Sequence, residues 1–124
     1  MSQKVAVVED NPDNRMLVQA LLEDRFEISE YETGMEAVKG LPGNVPDLIL
    51  LDISLPEMDG TEVLAWIRGQ DGLKNLPVIA LTAHAMAGDR DKYLAAGFND
   101  YVTKPIVDEA LLIEAIERCL SPQG

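Results

Sequence analysis

Four clusters of reactive side chains each follow a short strand-like segment, three of these being unbroken apolar runs. Glu9-Asp10 follows Val5-Ala6-Val7-Val8, Asp52 follows Leu48-Ile49-Leu50-Leu51, Thr82 follows Val78-Ile79-Ala80-Leu81, and Lys104-Pro105 closes Asp100–Thr103. An unpaired carboxylate at the rim of a buried strand is costly. Carboxylates crowded together raise one another's pKa unless a cation offsets them. If Glu9, Asp10 and Asp52 converge, the natural resident is a hard divalent ion with oxygen ligands and retained waters, usually Mg2+. Lys104 would counter the remaining negative charge, or hold a phosphoryl oxygen as a point charge.

Each cluster alone also has an ordinary reading. Glu9-Asp10 before Asn11-Pro12 can serve a capped, charge-matched helix start. Thr82 alone reads as a turn residue and Lys104-Pro105 as a loop. His84 reads as an exposed loop histidine, and Trp66 and Cys119 as packing or surface residues on helices. Only Asp52, directly after a continuous apolar run, resists such a reading. What joins the clusters is that all four would fall on one edge of one sheet.

The elements that must position them alternate in type. The three apolar runs are too short for core helices, and their unbroken hydrophobicity calls for burial on both faces, as in a parallel sheet covered by helices. Two weaker strands are predicted at Glu27–Tyr31, alternating as an edge strand would, and at Asp100–Thr103. Helices are predicted at Pro12–Glu23, with Asn11 as N-cap and Met16, Leu17, Ala20 and Leu21 at helical spacing, and at Met35–Leu41. Three more follow: Thr61–Arg68, closed by Gly69; Met86–Ala96, followed by Gly97; and one capped by Asp108 that buries Leu112, Ile113, Ile116 and Leu120. Strand-helix alternation of this kind predicts a doubly wound α/β sheet, with ligands outside the carboxyl ends of its strands.

Composition narrows the classes. A chain of 124 residues, 47% hydrophobic, fits one domain over 1–124 with a real core. Ten Lys and Arg against 22 Asp and Glu leave a net charge of −12, which repels phosphate backbones and anionic lipid, so neither nucleic acid nor membrane is an expected partner. One cysteine and one histidine can form neither an internal disulfide nor a zinc site. No apolar run approaches the ~20 residues of a membrane span, and Met1-Ser2-Gln3-Lys4 runs straight into a strand without a signal peptide. The expectation is a cytoplasmic domain. With only Ser121–Gly124 after Leu120, no effector segment is expected on this chain.

Read in order, these segments resemble the receiver domain of two-component response regulators over essentially the whole chain. Val7-Val8-Glu9-Asp10-Asn11 is similar to the family's acidic pair, with Glu at one position that the family also fills with Asp. The stretch Leu48–Gly60, with Asp52 and the Pro56–Gly60 loop, resembles its phosphoacceptor strand. Pro77–Ala83 resembles the strand ending in the switch hydroxyl, and Ala96–Pro105 the last signature. The resemblance implies a flavodoxin-like five-stranded parallel sheet of order 2-1-3-4-5 flanked by five helices. It makes Asp52 the phosphoryl acceptor from a histidine kinase or histidine phosphotransfer protein. Glu9, Asp10, Asp52 and the Ser54 backbone carbonyl would hold Mg2+ or Mn2+, and Lys104 and Thr82 would contact the phosphoryl group. Tyr101 would be the rotameric aromatic coupled to Thr82, and Lys104-Pro105 a cis peptide. Any catalysis would be limited to the domain's own phosphorylation and dephosphorylation.

Three rivals differ in class. A haloacid-dehalogenase-type phosphohydrolase needs a second Asp two residues after the nucleophile, where this chain has Ser54. A flavodoxin-like electron carrier needs a Ser/Thr/Gly phosphate cradle after strand one, where Glu9-Asp10 would repel the cofactor. A receiver that binds partners without phosphorylation differs only in a phosphorylation assay. For the leading reading, the helix four, strand five, helix five face is the expected signalling surface, for a partner or a second copy.

Overall fold

The computed structural model describes residues 3–55, 58–82, 89–103 and 109–120. Strand and helix alternate as β1 (Gln3–Val8), α1 (Pro12–Leu22), β2 (Phe26–Tyr31), α2 (Gly34–Gly40), β3 (Leu48–Asp52), α3 (Gly60–Arg68), β4 (Val78–Thr82), α4 (Asp89–Ala96), β5 (Asp100–Thr103) and α5 (Glu109–Leu120), with a 3-10 turn at Leu41–Gly43 after α2. All pairings are parallel, and the strand order is β2-β1-β3-β4-β5. The expected doubly wound sheet is therefore present, with the alternating β2 on an edge and β3 and β4 buried throughout. Asp52 and Thr82 are themselves the last residues of their strands, rather than the first residues after them.

Strand alternation sorts the core into two layers. One face of the sheet packs Ala6, Val8, Ile49, Leu51, Val78 and Ala80 against α2, α3 and α4. The other packs Val5, Val7, Leu48, Leu50, Ile79 and Leu81 against α1 and α5. Leu112, Ile113 and Ile116 form the expected buried stripe, with Leu120 partly buried beside them. Trp66 and Cys119 are packing residues at the edges of the two layers.

Helix ends follow local chemistry. The Asn11 side chain accepts from the amides of Asp13 and Asn14 at 2.8 and 3.2 Å, and Pro12 occupies the first turn. Gly97, with φ at 115°, ends α4 in the left-handed region that glycine enters without steric cost. Gly69 closes α3 as expected, at φ −91°, a right-handed conformation open to any residue.

The apolar spacing read on α1 needs correction. Val18 and Leu22 are its buried residues and Leu21 is partly buried, whereas Met16 and Leu17 are exposed and Ala20 faces solvent. A helix shows the sheet one stripe at i, i+3 and i+4. Here Val18, Leu21 and Leu22 take it, rotating Met16, Leu17 and Ala20 outward. Of the expected helix at Met86–Ala96, the part before Asp89 lies outside the described residues, as do Asp108 and His84.

Candidate functional site

The strand register brings the acidic residues together. Val8 of β1 pairs with Leu51 of β3, which carries the following residues, Glu9 and Asp52, level with each other at the carboxyl end of the sheet. Asp10 is next in the chain. One carboxylate oxygen from each of Glu9, Asp10 and Asp52 lies within 4.8 Å of the other two; Glu9 and Asp52 are buried and Asp10 is exposed.

Local hydrogen bonds aim these groups. The Ser54 amide donates to Asp52 Oδ1 at 2.9 Å, and the Asn11 amide donates to Glu9 Oε2 at 3.1 Å. The Glu9 amide donates to the Tyr31 carbonyl at 3.0 Å, tying the loop to β2. Arg15, one turn into α1, donates to the backbone carbonyls of Glu9 and Asp10, and its guanidinium pairs with Glu30 and Glu32 on β2 and just beyond it. The three carboxylates make an all-oxygen donor set with one member open to solvent. That chemistry fits a hard divalent ion that keeps some of its waters, and Mg2+ suits it.

Thr82 stands at the same sheet edge, one residue beyond Leu81, the partner of Asp52. Its hydroxyl lies 2.8 Å from the hydroxyl of Tyr93 on α4, and both residues are buried. The Tyr93 ring in turn packs on Tyr101 of β5 at 5.7 Å between centroids, tilted by 43°, and edge-on to Phe98 at 6.1 Å. Tyr93 thus touches both Thr82 and Tyr101, the two residues that the resemblance pairs as a switch. Lys104 and Pro105, with their expected phosphoryl contact and cis bond, lie outside the described residues.

Two residues at this edge escaped the sequence reading. Tyr93 sits in a helix of mostly polar and small residues, Asp89–Ala96, with no apolar stripe to flag it. The available signal was its place as the one aromatic in that stretch. Arg15 reads as surface charge on a solvated helix; its distance of six residues from Glu9, about one helical turn past the N-cap, was the cue.

Comparison with known proteins agrees with this arrangement. Residues 5–117 match the family described as response regulator receiver domain. The chain is 43% identical over 112 residues to the sensor protein GacS of Pseudomonas syringae pv. syringae, covering 87% of this chain and 12% of that protein. It is 44% identical over 112 residues to the signal transduction histidine-protein kinase BarA of Escherichia coli (strain K12), covering 90% of this chain and again 12% of the kinase. The chain therefore spans about an eighth of the length of these two relatives. With the polar-differentiation response regulator DivK of Brucella anthropi it shares 42% identity over 107 residues, 86% of this chain and 87% of that protein. Among solved structures, the receiver domain of the sensor histidine kinase PA1611 from Pseudomonas aeruginosa PAO1, with a magnesium ion coordinated in its active site cleft, superposes with a TM-score of 0.86 at 36% identity, over 97% of this chain and 98% of that one. The chemotaxis protein CheY4 of Vibrio cholerae superposes with a TM-score of 0.89 at 26% identity, over 97% and 100% of the two chains. Sheet order, acidic cluster, strand-end threonine and these similarities lead to one assignment: the chain belongs to the response regulator receiver domain family, the phosphoacceptor signalling domains of two-component systems.

Proposed function

We propose that residues 1–124 act as one receiver domain whose Asp52 accepts a phosphoryl group from a phosphohistidine on a histidine kinase or histidine phosphotransfer protein. The observation that carries this reading is the convergence of the Glu9, Asp10 and Asp52 carboxylates at the carboxyl edge of the sheet, within 4.8 Å. An Asp52 oxygen forms the new bond to phosphorus as the phosphorus–nitrogen bond breaks, and the imidazole leaves with the bonding pair. Water attacking phosphorus later releases inorganic phosphate and restores the carboxylate. Such transfers need in-line positioning and charge neutralisation more than acid–base help.

The side chains of Glu9, Asp10 and Asp52 and the Ser54 backbone carbonyl are the proposed ligands of Mg2+, with Mn2+ as a substitute. The bound ion would neutralise charge on the phosphoryl oxygens. The Ser54 amide already holds Asp52 Oδ1, which fixes the carboxylate plane. Lys104 and the Thr82 hydroxyl are the proposed phosphoryl contacts, and the surface of α4, β5 and α5 the proposed phosphorylation-dependent face, for a downstream protein or a second copy. A cytoplasmic location fits such a partner. Among the described residues, no helix is long and apolar enough to cross a membrane.

Intact mass spectrometry after incubation with a small phosphodonor and Mg2+ tests the assignment. One added phosphoryl group, about 80 Da, is expected in the wild type and none in Asp52→Asn. A gain that survives the substitution overturns it.

A further inference from the structure

We infer that Tyr93 is a latch on the switch: its hydroxyl holds Thr82 away from Asp52 in the resting form, and phosphorylation at Asp52 pulls Thr82 off it. The inference rests on the reading of Asp52 as the phosphoryl acceptor.

The geometry sets the two pulls against each other. Asp52 continues the side of β3 that carries Leu48 and Leu50, whereas Thr82 continues the side of β4 that carries Val78 and Ala80. Tyr93 belongs to the layer on that second side, and its hydroxyl meets Thr82 Oγ1 at 2.8 Å. The Thr82 hydroxyl therefore points toward α4. To reach a phosphoryl oxygen on Asp52 it must turn toward β3 and leave Tyr93.

Thr82 is β-branched, so its χ1 moves between discrete rotamers rather than drifting. The hydrogen bond to Tyr93 stabilises one of them; a phosphoryl dianion stabilises another more strongly, because hydrogen bonds to charged groups are the stronger kind. Release of Thr82 leaves the Tyr93 hydroxyl without this partner in the layer it shares with Tyr101, whose ring lies 5.7 Å away. The local event at Asp52 is thereby passed to two aromatic rings on adjacent elements, α4 and β5. Tyr93 is a positioning residue in this scheme: it acts through Thr82 and does not touch the phosphoryl group.

Tyr93→Phe removes the hydroxyl and keeps the ring. The test titrates the full chain with beryllofluoride in Mg2+ and follows backbone amide shifts, for wild type, Tyr93→Phe, Thr82→Ala and the double variant. One net hydrogen bond corresponds to about 2- to 10-fold in an equilibrium, so the midpoint in Tyr93→Phe is expected to fall by that factor. Resting amides of α4 and β5 should already lie part-way toward their saturated positions. In the Thr82→Ala background, Tyr93→Phe should change neither quantity. A purely structural tyrosine gives the opposite pattern, with lower melting temperature and an unchanged or higher midpoint, and that result overturns the latch. So does an equal effect of Tyr93→Phe with and without Thr82. A wild-type response that persists in Asp52→Asn overturns the Asp52 reading and the latch with it, whereas an Asp52-dependent response unaltered by Tyr93→Phe overturns the latch alone.

Discussion

Arg15 Nη1 donates to the backbone carbonyl oxygen of Glu9 at 2.8 Å. The same nitrogen reaches the Asp10 carbonyl at 3.2 Å, and the guanidinium lies 3.6 Å from Glu30 and 3.4 Å from Glu32. A single largely covered side chain on α1 thus fastens the start of the acidic loop to the edge strand β2. The Glu32 pair is exposed and contributes little; the two carbonyl bonds carry the effect. Hydrogen bonds to a charged group are worth about 1.5–3 kcal/mol. Arg15→Ala is expected to lose about that much in urea denaturation. Arg15→Lys should recover only part, because a point-like ammonium cannot serve both carbonyls and Glu30 with the same fork. A loss in Arg15→Ala below about 0.5 kcal/mol, the range of an ordinary surface change, would refute this account.

The acidic cluster predicts a trade between resting stability and metal response. Three carboxylates within 4.8 Å repel one another, and a ligand that binds only the folded chain stabilises it by mass action, about 2.7 kcal/mol at a hundredfold excess over its Kd. Asp10 is the exposed member, so Asp10→Asn relieves repulsion without disturbing packing. The variant should melt higher than wild type in a chelator and gain less from added Mg2+. Paired melts with chelator and with Mg2+ decide it. A variant that melts lower in chelator and gains as much from Mg2+ rules the picture out.

Much of this arrangement was legible in the residues themselves. Unbroken apolar runs at Val5–Val8, Leu48–Leu51 and Val78–Leu81 have few uses other than buried parallel strands, and their abrupt polar ends marked the sheet edge that carries the site. The α1 face was misread because Met16, Leu17, Ala20 and Leu21 have the spacing of a buried stripe as good as that of Val18, Leu21 and Leu22. Only the orientation of the helix on the sheet chooses between them. The role of Tyr93 was illegible for a related reason. Its hydroxyl meets Thr82 across the space between α4 and β4, and no pattern along the chain encodes a contact between side chains on neighbouring elements.

The loop after β3 predicts a pH-dependent cap. Asp59 Oδ1 accepts from the Glu62 amide at 3.0 Å and from the Thr61 hydroxyl at 2.6 Å, capping α3. The Thr61 hydroxyl, then the Glu62 amide, hold its carboxyl below the ordinary aspartate range. A depressed value in the folded chain means stabilisation that is present above the unfolded aspartate value, about pH 4, and lost as pH falls through the folded one. Removing such a cap costs about 0.5–2 kcal/mol. Asp59→Ala is expected to lose that at neutral pH, with the gap to wild type narrowing in denaturation curves taken below about pH 4. Asp59→Asn, which keeps an acceptor oxygen but cannot titrate, should lack the narrowing relative to Asp59→Ala. A constant gap for wild type from neutral pH into strong acid would contradict the cap.

Gly60 opens α3 directly behind the proposed phosphoacceptor. Its amide donates to the Ile53 carbonyl at 3.0 Å, which holds the helix start against the end of β3. A Cβ at this position would fall on the Asp52 carbonyl oxygen and lie 2.8 Å from Ile53 Cα. Both obstacles are backbone, so no rotamer change relieves them. Alanine favours a helix over glycine by up to about 1 kcal/mol, whereas overpacking against a rigid neighbour costs about 1–3 kcal/mol, so the net change in Gly60→Ala is destabilising. Gly72, where an added Cβ would meet nothing within 4 Å, supplies the control; Gly72→Ala should stay within about 0.5 kcal/mol of wild type. Because the clash pushes on the Asp52 backbone, Gly60→Ala should also slow phosphorylation by a small phosphodonor, whereas Gly72→Ala should not. Denaturation midpoints and phosphorylation rates of the two variants, measured side by side, check both parts. Equal stability and equal rates would mean that β3 and α3 can separate without moving Asp52, and the close approach at Gly60 would then have no bearing on the site.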